Sequence, residues 1–166
     1  MDLKELNIEL RTSARQAGLC DKWFNEWDLN SGYQELIDKY KKGIDFAMEH
    51  NFPSNEFIVE NIDKEILDKN NIYVNTEFYE YNPKSDCVVL DSEGKLIFGG
   101  FAVRDIYING ESDVEIEAAD NSKIFVSIYG NPSVHIIQRG LAEVYTYNYG
   151  HGKITFEGKV HVEKKD

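Results

Sequence analysis

From Val114 to Val162 apolar and polar residues alternate with a period of two, and the whole pattern recurs every ten residues. Val114, Ile124, Val134, Val144 and Ile154 form one series; Ile116, Val126, Ile136, Thr146 and Phe156 form the second, two positions on. A period of two is the signature of a strand with one buried face. Between the strands lie Asp120-Asn121, Gly130-Asn131, Gly140 and Gly150, residue types that take positive φ at low cost and turn the chain. Strand and turn in fixed register make a repeat architecture.

A strand of about five residues and a bend of about five make half a coil of a flattened solenoid. Two halves complete a coil, with strands on opposite sheets. Val114, Val134 and Ile154 then stack on one sheet, Ile124 and Val144 on the other, all facing a narrow lumen that suits Val and Ile. The competing arrangement is an antiparallel meander, joined by Asn-Gly-type hairpins and packed on helices. The constant period favours coils, because hairpin loops vary in length more freely than stacked coils.

Upstream the pattern changes. Residues 87–90, 96–98, 101–103 and 106–108 are short β-rich runs at irregular spacing, as expected of a coil that closes a stack. Residues 3–17 read as a helix, with Leu3, Leu6, Leu10, Ala14 and Ala17 in one stripe and Gly18 at its end. Asp21 is placed to cap a short second helix that carries Trp23 and Trp27 on one face. Ser31 and Gln34 form a capping-box pattern opening a long helix to about Glu49, stopped by Phe52-Pro53. Ser54 and Asp63 are placed to start two further turns of helix. Residues 72–81 look extended, and 82–86 read as a turn-rich linker. The expected fold class is therefore α+β: a helical module over 1–82 followed by a small β-solenoid over 83–166.

If the two series face inward, the alternate residues face out. One sheet then presents Phe125, Tyr129, Tyr145, Tyr147 and Tyr149, with Tyr107 continuing the ladder on the coil before. The other sheet presents Glu115, Glu117, His135, Ile137, Arg139, Thr155 and Glu157. One face is aromatic and the other mostly charged. Tyrosine offers contact area with a polar tip, and contiguous exposed aromatics generally meet something. The alternative is that this face packs against the chain's own helices.

Thirty acidic against eighteen basic residues give a formal charge of −12. That balance argues against direct binding to a phosphate backbone, which needs clustered Lys and Arg. Cys20 and Cys87 stand far apart and outside any CxxC spacing, so free thiols in a reducing compartment are expected. The first residues show no basic stretch followed by an apolar run, and no segment approaches the length of a membrane span. The expected location is the cytoplasm, with no membrane partner. No phosphate-loop, dinucleotide, HExxH or GxSxG motif occurs, and the four histidines, His50, His135, His151 and His161, are scattered. No metal, cofactor or catalytic residue is expected. His135 and Arg139 read as a surface pair, and Glu115 with Glu117 as neighbours without a pocket.

The run from Asp113 to Val134 resembles the short β-helical repeats of uncharacterised proteins from Bacteroidota and their phages, and the run from Gly43 to Pro53 is similar to a recurrent stretch in their N-terminal halves. The resemblance implies a helical N-terminal half joined to a solenoid, and assigns no activity. The leading functional expectation is a non-enzymatic module that binds another protein or a second copy of itself. The alternatives are an acidic mimic of nucleic acid that inhibits a nucleic-acid enzyme, and a carbohydrate-binding or carbohydrate-active protein.

Overall fold

The computed structural model describes residues 1–165 and divides into two units, Met1–Lys64 and a second that begins at Glu65. Helices occupy the first. They are α1 (Leu3–Ala17), α2 (Asp21–Asn25), α3 (Tyr33–Lys42), α4 (Ile44–His50) and α5 (Asn55–Asn61), with α6 (Lys64–Lys69) leading into the second unit. Helix α1 starts in a capping box: Asp2 Oδ1 accepts from the Glu5 amide at 2.8 Å, and Glu5 Oε2 accepts from the Asp2 amide at 3.1 Å. It ends at Gly18, whose φ of 113° lies where an L side chain is disfavoured. Leu6, Leu10 and Leu36 form the centre of this unit, with Trp27, Phe52 and Phe57 packed on them.

Three local expectations are corrected here. The capping residue of α2 is Cys20, not Asp21, and Trp27 lies beyond the helix end, so the two indoles do not share a helical face. The capping residue of α3 is Gly32, with Glu35 Oε1 accepting from its amide at 3.3 Å, while the Ser31 hydroxyl donates to the Asp28 carbonyl at 2.7 Å. The long helix is broken at Gly43, where a β-carbon would come 3.3 Å from the Trp23 ring. At α3 the cause is local side-chain bonding to the backbone: the Glu35 carboxylate takes the Gly32 amide while the Ser31 hydroxyl turns back to Asp28.

The second unit is a parallel β-solenoid of eleven strands: β1 (Ile72–Val74), β2 (Glu77–Tyr81), β3 (Cys87–Leu90), β4 (Glu93–Phe98), β5 (Val103–Asn109), β6 (Asp113–Ala118), β7 (Lys123–Ile128), β8 (Ser133–Gln138), β9 (Glu143–Asn148), β10 (Lys153–Glu157) and β11 (His161–Lys164). Odd strands form a six-stranded sheet in the order β1-β3-β5-β7-β9-β11, and even strands a five-stranded sheet, β2-β4-β6-β8-β10. Every pairing is parallel, which a hairpin meander cannot produce. The strands β1 and β2 pair with β3 and β4, so the solenoid starts at Ile72 and not at the expected boundary after residue 82. Local sequence marks those strands as extended but not as members of the repeat. Their partners lie sixteen residues on, outside the regular period.

In the middle coils the offset is twenty residues, as in Val114 with Val134 and Ile124 with Val144. The first and last coils are shortened to sixteen, as in Ile72 with Val88 and Tyr145 with His161. The lumen is filled by columns. Leu96, Ile116 and Ile136 make one, and Cys87, Ile106, Val126 and Thr146 another, all fully buried. The turns repeat as faithfully. Gly100, Asp120 and Gly140 all have φ close to +60°, and the Asp120 carboxylate accepts from the Gly100 amide at 2.7 Å.

Candidate functional site

On the outer face of the six-stranded sheet, register aligns side chains in columns about 4.8 Å apart from rung to rung. One column runs Asp105, Phe125, Tyr145, His161; its neighbour runs Val88, Tyr107, Ser127, Tyr147, Glu163. The Phe125 and Tyr145 rings stack with centroids 5.4 Å apart and 17° between planes. His161 follows in the column but does not stack: its ring lies 5.9 Å from Tyr145, tilted by 53°, and meets Tyr147 edge-on at 6.2 Å. Ammonium groups border the rings: Lys123 Nζ lies 5.6 Å from the Phe125 centroid and 5.7 Å from that of Tyr145, and Lys165 Nζ lies 5.7 Å from that of Tyr147. The Tyr145 hydroxyl donates to Glu143 Oε1 at 3.1 Å, and that carboxylate holds the phenol pKa above its ordinary value.

The expected ladder is thus divided. Phe125, Tyr145 and Tyr147 share the outer face, whereas Tyr129 and Tyr149 lie just beyond the ends of β7 and β9 and form a separate stack at 5.2 Å and 11°. Tyr107 is on the outer face but in the second column, where Ser127 separates it from Tyr147 by two rungs. Tyr149 is exposed and the other five candidate rings are half-buried. Val88, one rung before Tyr107, is fully buried, so the face opens to solvent only from β5 onward. Lys123, His161 and Lys165 were not legible as members. The last coil is four residues shorter than its predecessors, and only that shortening brings His161 beneath Tyr145.

The other sheet carries charge in an ordered form. Arg139 Nε donates to Glu117 Oε1 at 2.8 Å and Lys95 Nζ lies 3.3 Å from Glu117 Oε2; the Arg139 bond first, then Lys95, hold the Glu117 pKa below its usual range. His135 and Arg139 do not pair. His135 Nδ1 lies 2.6 Å from Thr155 Oγ1 and its Nε2 3.4 Å from Glu157 Oε2. At the N-terminal ends of β2, β4 and β6, Glu77, Glu93 and Asp113 stack in one column, and Glu77, then Asp113, raise the Glu93 pKa.

Comparison with family models, curated proteins and solved structures finds no match. The face therefore has to be read from its own chemistry. Stacked rings on a continuous parallel sheet present flat apolar area with hydroxyl and ammonium groups at the margin, a composition suited to contact with a partner surface. The indole pair in the helical unit is engaged internally. Trp27 Nε1 donates to Asn7 Oδ1 at 3.0 Å, and Lys39 Nζ lies 5.9 and 5.2 Å from the Trp23 and Trp27 rings. Among the described residues no set of three or more His, Cys, Asp or Glu side chains is placed to hold a metal ion, and no helix is long and apolar enough to cross a membrane.

Proposed function

We propose that the chain is a non-enzymatic binding module of the cytoplasm whose contact surface is the ring-bearing outer face of the six-stranded sheet. Its partner is another protein. The observation that carries this reading is the register that stacks Phe125 on Tyr145 and brings the tilted His161 ring and Tyr147 beside them. A repeating sheet needs only β-compatible polar residues on its solvent face, and rings flanked by Lys123 and Lys165 are more than folding requires. The charge of −12 disfavours direct nucleic-acid contact. Among the described residues neither Cys20 nor Cys87 is in a disulfide, which fits a reducing compartment.

The test is Tyr147→Ala, read by thermal melting and by capture of a partner from lysate of the cells that make the protein. Loss of one specific captured protein with an unchanged melting curve supports the binding face. A large drop in melting temperature with capture unaffected shows instead that the ring serves folding. If neither quantity moves, the face is not the contact surface.

A further inference from the structure

The strand β10 closes the five-stranded sheet: β8 pairs with it on one side, and its other edge carries no strand among the described residues. Its two lumen-facing residues, Ile154 and Phe156, continue the columns of Val134 and Ile136, yet Phe156 is 48% exposed where Ile136 is fully buried. An edge with apolar inward positions and free backbone donors and acceptors is a template for another strand. The neighbouring edge of the six-stranded sheet is guarded. In β11 the lumen-register position beneath Asn148 is Lys164, whose ammonium donates to the Gly150 carbonyl. An inward charge of that kind discourages strand addition.

The sequence of β10, Lys153-Ile154-Thr155-Phe156-Glu157, is complementary to itself when reversed. About a two-fold axis at Thr155, an antiparallel copy sets Lys153 opposite Glu157 of the second copy, Ile154 opposite its Phe156, and Thr155 opposite its own equivalent. Both ammonium–carboxylate pairs fall on the outer face and both apolar pairs on the lumen side, because side chains alternate. Head-to-tail stacking would instead lay β10 on the free edge of β2. In the register of the sheet that sets Phe156 against Glu80, since Glu80 shares a column with Leu96, Ile116 and Ile136.

We propose that β10 is the contact of a two-fold, end-to-end dimer of this chain. The geometry closes after two copies, because each copy has one such edge and the axis consumes both. One five-residue strand and the apolar end beside it, with Leu141 and Val160 next to Phe156, bury a small area, so the dimer belongs among weak, reversible associations. It stands independently of the ring-bearing face, which lies on the other sheet.

The experiment is sedimentation equilibrium of the full chain over a dilution series from low micromolar to near-millimolar. A single monomer–dimer equilibrium is expected. Lys153→Glu and Glu157→Lys each place like charges opposite one another twice, and each raises the dissociation constant about tenfold. The double exchange K153E/E157K restores the cross-strand pairs and returns the constant to within about twofold of the parent. Phe156→Asp abolishes the dimer while the monomer melts as a folded protein. A chain that stays monomeric throughout, a ladder of ever larger species, or a double exchange as weak as the singles overturns the proposal. So does Tyr147→Ala if it dissolves the dimer, since the contact would then be the ring-bearing face.

Discussion

The middle coils and the last coil of the solenoid are written in the same code and reach different ends. Ile136 and Phe156 occupy one column, and Thr146 and Val162 another; the first of each pair is fully buried, the second 48% and 40% exposed. Alternation assigns a direction to a side chain, into the lumen or out. Burial needs a further coil beneath. In a solenoid each coil is the other's core, and the terminal one lacks half of it.

The sharpest way to break the comparison is truncation in one column at two rungs. Ile136→Ala leaves a cavity between complete coils and costs about 3–4 kcal/mol, whereas Phe156→Ala, measured at a concentration where the chain is monomeric, costs about 1 kcal/mol or less. Urea unfolding of both variants checks this, and equal losses would mean the last coil is as well packed as the middle. A second contrast separates the two demands on turn glycines. Gly130 has φ of +72° and a β-carbon there would sit 2.7 Å from the Gly110 amide nitrogen, while Gly140 has φ of +60° and a nearest neighbour at 3.4 Å. Gly130→Ala is expected to cost about 2–3 kcal/mol and Gly140→Ala about 1 kcal/mol, the difference being the steric contact between coils.

The third concerns the one hydroxyl in an otherwise apolar column. Thr146 is fully buried and its Oγ1 has no hydrogen-bond partner among the described residues. Replacing it with the nearly isosteric valine removes an unsatisfied polar atom and is expected to stabilise by about 1 kcal/mol. Thermal melting checks the sign. A destabilised T146V variant would show that the hydroxyl contributes to packing.

The smallest effects are electrostatic and have opposite signs at two places on the five-stranded sheet. The Glu117 pKa is depressed, by Arg139 first, so its stabilisation is present above the unfolded carboxylate pKa and is lost as pH falls through the lower, folded value. Glu117→Gln should therefore cost about 0.5 kcal/mol at neutral pH and nothing in acid. The Glu93 pKa is raised, by Glu77 first, so its repulsion disappears on protonation and stability there increases as pH falls. Glu93→Gln should raise the melting temperature at neutral pH and leave it unchanged in acid. Melting curves across that pH range decide both, and two variants that respond alike would remove the distinction.

Legibility in the sequence followed the range of the interaction. The ten-residue series gave the inward residues of β6 to β9 and their stacking partners correctly, because register in a solenoid is a local fact repeated. The series also places Ile154 and Phe156 of β10 correctly, at the same twenty-residue offset. It misses β1 and β2, which the sequence groups with the helical module, and does not reach β11; all three lie where the offset drops to sixteen residues. Alternation alone picks out the six candidate rings but not their grouping. Tyr129 and Tyr149 stack with each other beyond the strand ends, and His161 joins Tyr145 through a shortened coil.

The sequence by itself determined which residues of each repeat face the lumen and where the chain turns, since both follow from backbone periodicity and from φ tolerance at single positions. Tertiary structure alone decided that the strands pair in parallel, where α3 gives way to α4 at Gly43, and which rings touch. Those outcomes depend on atoms brought together from many residues away, such as the Trp23 ring against Gly43 or one coil's length against the next. No local pattern records such distances.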